Sequence, residues 1–370
     1  MALGLFWATV CLCVFVAVLS LDIMGFFSRG NKFQVEGRTV ILTGGSYGMG
    51  KEVAKLLSQR GANLIIVARN VDKLKAAIEY AKSHAKNPST QRFHYISADV
   101  CSEAENERLL KEATEWNNGK IPEIVWANAG SSTPMMWLES SIETQKQQMD
   151  MNYWATAYLA HKTLKAWLYP QTPYSPREKS AKAEAPRHFI MTSSAICFYS
   201  FTGYNPYGPA KWAMRGLCDG LRQEVLLYNG ARRSTKKTGQ EPAPFDINIQ
   251  MVFPGNMKTP GHELENLTKP PITFILEKDD PEQTELAAAT AAIKGLEAGN
   301  YYTSTNWLCD VMRISALGGN PRDNIIKDTV GQWLTSIVWL FVGPDLDGKV
   351  WNWGKKEGMP ELKPEKRIAR

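Results

Sequence analysis

Ser194 stands thirteen positions ahead of Tyr207, and Lys211 follows that tyrosine after one helical turn. Residues i and i+4 share a helix face, so the lysine charge falls beside the phenol. A carbonyl that accepts a hydride needs a nearby acid for its oxygen. A free tyrosine titrates near ~10, and an adjacent cation brings its phenolate closer to neutral pH. The trio therefore points to proton exchange with a carbonyl or alcohol oxygen. Ser193 is a rival to Ser194 by residue type alone. An isolated Tyr and Lys at this spacing would simply mark an amphipathic helix surface, so the rest of the chain must supply the context.

That context begins upstream, in Thr43-Gly44-Gly45-Ser46-Tyr47-Gly48-Met49-Gly50. Glycines 44, 48 and 50 follow an apolar run and open a helical pattern near Lys51. Backbone at such a place can approach a pyrophosphate closely, at a helix N-terminus where free N–H groups and the dipole favour an anion. A tight strand-to-helix turn would use the same glycines. Five further strand-like runs downstream favour the phosphate cradle.

The elements that must position these groups follow from periodicity. Apolar runs at Thr39–Leu42, Asn63–Val67, His94–Ile96, Glu123–Trp126, His188–Met191 and Ile247–Val252 alternate with helix-length segments. Runs apolar enough to be buried on both faces predict an α/β fold, a doubly wound parallel sheet of the Rossmann type. The expected organisation is an anchor over 1–28, a reductase domain over 36–310 with a lid at 256–275, an apolar membrane-associated segment at 325–345 and a basic tail at 346–370. Tyr169–Pro186 and Asn229–Pro244, rich in Pro, Ser, Gly and basic residues, read as loop insertions.

The second apolar run ends in Val67-Ala68-Arg69-Asn70, where NAD-binding enzymes tend to carry an acid for the ribose hydroxyls. Here the charge is reversed. Arg69, with Lys73, can hold a 2′-phosphate through charge-assisted hydrogen bonds, which predicts NADPH as cofactor.

The 370 residues, 44% of them hydrophobic, suffice for a large core. A net charge of +6 spread along the chain argues against a nucleic-acid partner. The six cysteines show no metal-ligand spacing and read as free thiols of a reducing compartment, so no metal is expected. Met1–Leu21 carries no charged side chain, a length that suits a membrane span of ~20 residues, and Arg29, Lys32 and Arg38 follow it. A retained anchor with the bulk of the chain in the cytosol is the reading. A second uncharged stretch, Thr329–Pro344, is short for a span, and two readings stand: an interfacial or re-entrant helix, or a helix of the soluble core.

Taken together, these motifs resemble the classical short-chain dehydrogenase/reductase family over about Glu36 to Pro271. Thr43–Gly50 resembles its TGxxxGxG loop, Asp99-Val100 its adenine contact, Asn128-Ala129-Gly130 its NAG turn, and Tyr207–Lys211 its YxxxK motif. Pro254, Gly255 and Thr259 resemble the segment that closes over the nicotinamide. The thirteen-residue interval favours Ser194 over Ser193. The resemblance implies catalytic roles for Asn152, Ser194, Tyr207 and Lys211, with Lys211 also gripping the nicotinamide ribose. For Asn152, holding a relay water and bonding a kinked helix are both open. Trp126-Ala127 departs from the family's usual approach to the NAG turn, and Pro209 lies inside YxxxK, where a first helical turn would tolerate it.

Thr259–Pro270 is similar to the lid of the branch of that family that reduces 3-ketodihydrosphingosine in sphingolipid synthesis. The implied partners are a long-chain lipid ketone and the lipid bilayer, with a homodimer as a family habit and the cytosolic face of the endoplasmic reticulum membrane as the location. A different lipid or steroid ketone, or an NADPH-binding scaffold without turnover, would share most of these motifs. Phe198–Phe201 and the lid are the expected substrate walls. Glu263 and Glu265 read first as solvated helix charges and second as an attraction for a substrate amine.

If Arg69 holds a 2′-phosphate, Arg69→Ala raises the KM for NADPH about tenfold, as loss of a charge-assisted hydrogen bond implies, and hardly changes that for NADH. Steady-state kinetics with both cofactors checks this, and equal effects on the two would refute the assignment.

Overall fold

The computed structural model describes residues 30–171, 174, 184–236 and 241–359. Its framework is one parallel sheet built from β1 (Thr39–Thr43), β2 (Asn63–Ala68), β3 (Phe93–Ser97), β4 (Ile124–Ala127), β5 (Arg187–Thr192), β6 (Ile247–Phe253) and β7 (Tyr302–Ser304), in the order β3-β2-β1-β4-β5-β6-β7. Strands β1, β4 and β5 are buried along their whole length, as parallel strands covered on both faces must be.

Side-chain alternation sorts the strand residues into two layers. Ile41, Ile65, Val125, Phe189 and Met251 face one core, where they meet α3 (Glu103–Trp116), α5 (Ala155–Leu168) and α6 (Gly208–Ala231) through Leu109, Leu159 and Met214. Their neighbours Val40, Leu42, Leu64, Ile66, Ile124, Ile190 and Val252 face the other. There they meet α1 (Gly48–Ser58), α2 (Val71–Lys82) and α9 (Glu285–Ala298) through Val53, Leu74 and Ala289. The period of two in the sequence is thus the partition between the two helix layers.

Between β4 and α5 lies α4 (Ile142–Met149), which runs into a π-helical turn over Asp150–Trp154. After β6 come the two short lid helices, α7 (Pro260–Asn266) and α8 (Pro271–Leu276). Helix α10 (Trp307–Ser315) and the 33-residue α11 (Ile325–Glu357) close the described chain.

Several expectations meet the structure differently. The proposed anchor over residues 1–28, Cys11, Cys13 and most of the Tyr169–Pro186 insertion lie outside the described residues. Strand β7 has only three residues, too few to show a period, and escapes a sequence reading. The core begins at Phe33 and extends to Leu317, beyond both limits set for the reductase domain. Helix α6 reaches Ala231 and so takes the first residues of the second insertion. The uncharged Thr329–Pro344 stretch is one part of α11, which continues through Pro344 and into the segment read as a basic tail. No helix among the described residues is long and apolar enough to cross a membrane. Nor is α11 a core helix. Trp333, Leu334, Ile337, Leu340, Phe341 and Trp351 are exposed, while its N-terminal turn is fastened to the domain by fully buried Asp328.

Asp328 accepts from Arg313 Nη2 at 2.7 Å, and Arg313 also meets Asp310 at 2.8 Å. A guanidinium buried this deeply needs both carboxylates. Asp328→Ala is expected to destabilise the fold by about 3 kcal/mol, since it strands a buried charge. Chemical denaturation of the two proteins measures the difference, and a loss below ~1 kcal/mol would remove this ion pair as the fastening of α11.

Candidate active site

The strand order reverses between β1 and β4, and the two strand ends open a cleft there. Thr43, the last residue of β1, ties the cleft together: its Oγ1 accepts from the backbone N–H of Asn128 at 3.0 Å and of Ala129 at 3.1 Å. Gly44 follows with a φ of +66°, and a Cβ on it would lie 2.8 Å from Ala129 Cα. A Cβ on Gly50 would lie 2.2 Å from the Gly44 carbonyl oxygen. Only glycine lets the loop pass so close to the Asn128 turn. Tyr47 at the N-cap gives α1 no side-chain cap, so the first-turn N–H groups face the cleft as a ready anion site. This cradle fits a dinucleotide pyrophosphate.

The other cofactor residues divide by what they expose. Ser46 is buried in the loop, whereas Met49 and Val100 point into the two cores and can offer only backbone to a ligand. Arg69 stands exposed just beyond β2, and Lys73 sits in the first turn of α2 with its ammonium 5.4 Å from the Tyr47 ring centroid. Asp99 is exposed near them and accepts from Cys101 N at 3.1 Å. Buried Pro254 accepts from Ala195 N at 3.1 Å, Gly255 donates to Thr305 Oγ1 at 3.3 Å, and Thr259 caps α7 by accepting from His262 N at 3.0 Å. Lid and cleft therefore share one rim. Among the described residues no group of His, Cys, Asp and Glu could hold a metal ion.

The four residues singled out for chemistry converge at the end of β5. Tyr207 is the N-cap of α6 and Pro209 lies in its first turn, where a missing N–H costs nothing. Lys211, buried in the following turn, donates from Nζ to the Thr192 carbonyl at 3.1 Å and lies 5.6 Å from the Tyr207 ring centroid. Asn152 is fully buried in the π-helical turn. Its Nδ2 donates to the Ser131 carbonyl at 2.8 Å and the Gln148 carbonyl at 3.0 Å, while its Oδ1 accepts from Ser131 N at 3.1 Å. A Cβ on Gly130 would meet both Asn152 Oδ1, at 2.9 Å, and Lys211 Nζ, at 3.2 Å. So the missing side chain of Gly130 leaves room that both Asn152 and Lys211 border.

The two serines separate cleanly. Ser193 turns into the fold, its Oγ donating to the Lys211 carbonyl at 3.4 Å, whereas the half-buried Ser194 lies on the side of the Tyr207 phenol, whose pKa it lowers. Burial pushes that phenol well above its ordinary value, the Glu265 carboxylate adds to the rise, and Ser194 offsets part of it. The direction is opposite to the one that the lysine neighbour alone suggests, because desolvation of the buried phenol dominates. Burial likewise pulls the Lys211 ammonium down from 10.5 to about 8.

Two groups were not legible in the sequence. Thr192 Oγ1 accepts from Trp126 Nε1 at 2.9 Å and donates to Asn128 Oδ1 at 3.0 Å, so the carbonyl that holds Lys211 is braced against the cradle. This gives the departure at Trp126 a role. Lys269, buried in the lid, pairs with Glu277 at 2.7 Å and lies 5.8 Å from the ring centroid of Tyr204, which neighbours Tyr207. Thr192 has no motif to announce it, and the lid motif that contains Lys269 says nothing of its partner.

The sequence pattern of the family described as short chain dehydrogenase matches residues 38–269, which span every group above except those beyond the lid. The chain belongs to the short chain dehydrogenase family. Its relatives include the 3-ketodihydrosphingosine reductase ksrA of Aspergillus fumigatus, 45% identical over 350 residues covering 94% of this chain and 93% of that protein. The 3-ketodihydrosphingosine reductase gsl-3 of Neurospora crassa is 40% identical over 362 residues, covering 98% and 94%. Among solved structures, a short chain dehydrogenase/reductase from Burkholderia phymatum in complex with NAD superposes with a TM-score of 0.58 at 15% identity, covering 76% of this chain and 94% of that one. An alcohol dehydrogenase from Thermococcus sibiricus complexed with 5-hydroxy-NADP gives 0.52 at 19% identity, covering 72% and 94%. These distant structures bear out the short chain dehydrogenase fold.

Chemistry that depends on the Lys211 charge weakens as pH rises through the value set by burial, because the ammonium is present below about 8 and lost above it. The pH profile of turnover is expected to fall on its basic side near pH 8; a profile that stays flat to pH 10 would show that the charge is not needed.

Proposed function

We propose that this oxidoreductase of the short chain dehydrogenase family reduces 3-ketodihydrosphingosine to dihydrosphingosine with NADPH. The observation that carries the reading is the convergence of Asn152, Ser194, Tyr207 and Lys211 beside a pyrophosphate cradle, in a chain 45% identical to a 3-ketodihydrosphingosine reductase along nearly its whole length. The loop from Gly44 to Gly50, with Asn128 and Gly130, would hold the dinucleotide. Arg69 and Lys73 form a basic rim at the end of β2 that suits a 2′-phosphate, which is why NADPH is preferred to NADH.

The bound nicotinamide supplies the hydride to the ketone carbon. Everything else falls to side chains of this chain. Tyr207, kept protonated by burial, gives its proton to the oxygen as negative charge develops there, and Ser194 donates a hydrogen bond to the same oxygen. Lys211 then faces a phenolate. Its ammonium stabilises that charge, and Asn152 Oδ1, which shares the Gly130 gap with it, lies on the route by which a proton returns.

A long alkyl chain makes the membrane part of the problem. The uncharged run Met1–Leu21 supports an anchor in the endoplasmic reticulum membrane, with the reductase domain facing the cytosol. Helix α11, whose exposed Trp333, Leu334, Phe341 and Trp351 are followed by Lys355 and Lys356, suits the interface of the same bilayer. The exposed Trp154 and Trp212, on the segments that carry Asn152 and Lys211, support a homodimer through that face.

Nicotinamide absorbance with detergent-solubilised protein tests the reading. Tyr207→Phe is expected to lower kcat by a factor of about 10² to 10⁴ while NADPH affinity holds. Turnover of 3-ketodihydrosphingosine that survives the substitution would deny Tyr207 the proton, and its absence from the unaltered enzyme would deny the substrate.

A further inference from the structure

Helix α11 presents one face to the domain along most of its length. Thr335, Trp339, Gly343, Leu346, Val350 and Trp353 are buried or half-buried, and the intervals of four and three between them put all six on one side of the helix. Most residues between them are exposed. The inward side meets the second lid helix, α8, and the loop between Ser194 and Tyr207, where the Trp339 ring stacks on that of Tyr199 at 4.9 Å. Among these three elements lies a cavity of about 250 Å³, lined by residues 199–202, by Leu276 of α8 and by Leu346, Val350 and Trp351 of α11. Exposed Asp347 also lines it, and a carboxylate that stays hydrated marks the side on which the cavity opens.

This cavity and the reacting groups share a wall. The loop leaves Ser194, passes the cavity at 199–202 and turns back to Tyr207, with Tyr204 N donating to the Phe201 carbonyl at 3.2 Å and Tyr207 N to the Tyr204 carbonyl at 3.0 Å. Even a straight chain from Thr202 to Tyr207 would span at most about 18 Å, and the two turns bring them closer. The lid closes on the same loop. Thr273 Oγ1 donates to the Thr202 carbonyl at 2.8 Å, and a Cβ on Gly203, whose φ is +96°, would collide with Thr273 Oγ1, so only glycine lets α8 pack this tightly. We propose that the cavity under α11 receives the alkyl chain of the lipid ketone, and that Leu346 and Val350 set a preference for long chains.

This rests on the reductase reading and deepens it, by naming the part of the site that senses the length of the substrate. Each methylene moved from water onto apolar side chains adds a similar increment of binding, so a chain that reaches Leu346 and Val350 gains over one that stops short. The outward side of α11 is apolar as well, with Trp333, Ile337, Leu340 and Phe341 exposed. One helix thus serves both ends of the transfer: its outer side suits the bilayer, and its inner side suits the chain drawn from it.

The test compares 3-ketodihydrosphingosine with a short-chain, water-soluble amino ketone, both in detergent, for the unaltered enzyme and for Val350→Trp, which fills the cavity. The unaltered enzyme is expected to favour the long chain in kcat/KM by up to about fourfold for each methylene that reaches the cavity. Val350→Trp should lower kcat/KM for the long-chain ketone about tenfold or more and leave that for the short one unchanged. A long-chain ketone carrying a diazirine in its alkyl chain gives a readout that needs no variant to fold: photolysis should label residues 199–202 and 346–351. Label confined to other segments overturns the proposal, as does an equal loss for both ketones in Val350→Trp. Label on those segments in a protein that reduces neither ketone would support the alkyl site and count against the reductase reading.

Discussion

A lysine ammonium taken out of water needs acceptors, and the way this chain supplies them for Lys211 governs the site. The Thr192 carbonyl holds Nζ at 3.1 Å, and Gly130 leaves open the space that borders both Nζ and Asn152 Oδ1. The desolvation is incomplete enough to leave the charge in place at neutral pH and severe enough to bring its pKa to about 8. Tyr207, four residues earlier, is drawn into the same dry region. Its proton is therefore retained until negative charge appears on a neighbouring oxygen, which is the behaviour an acid for a ketone requires.

The position of that ammonium depends on the sheet. Because β5 lies beside β4, and β4 beside β1, the end of β5 is one strand from the turn after β4 and two from the glycine loop. Thr192 uses this proximity: its carbonyl holds the lysine while its hydroxyl holds Asn128, whose amide faces Gly44. The cradle and the Lys211 ammonium are thus one hydrogen-bonded unit. A shift in either would be felt by the other, since close-packed strand ends transmit rather than absorb displacement. Above this unit the lid is held by the bond from Thr273 to the Thr202 carbonyl and by the buried Lys269–Glu277 pair. Farther out, α11 is tied to the domain by Asp328 at its start and by Trp339, which stacks on Tyr199 at 4.9 Å, and it leaves Trp333, Leu340 and Phe341 exposed.

The glycine loop, the Tyr–Lys pair and five of the six apolar runs that flank them were legible because each follows from local rules: steric room at glycine, the helical turn, the alternation of a strand. Edge strand β3 was legible only in outline, since its half-exposed residues weaken the pattern. Strand β7 was not legible, because three residues borrow their conformation from β6. Met49 and Val100 illustrate a different limit. A motif names positions, and whether a side chain or only a backbone faces the ligand is settled by which layer of the sheet the residue enters.

The sequence by itself determined the fold class and the family and singled out Tyr207 as the candidate acid, since these depend on residue type and spacing along one chain. The tertiary structure decided what depends on groups distant in sequence. It turned Ser193 into the fold and left Ser194 on the side of the phenol, half-buried Glu265 in the lid while leaving Glu263 exposed, and raised the Tyr207 phenol through burial. Each of these is a question of burial, and burial is fixed only when strands and helices from opposite ends of the chain have packed together and excluded water.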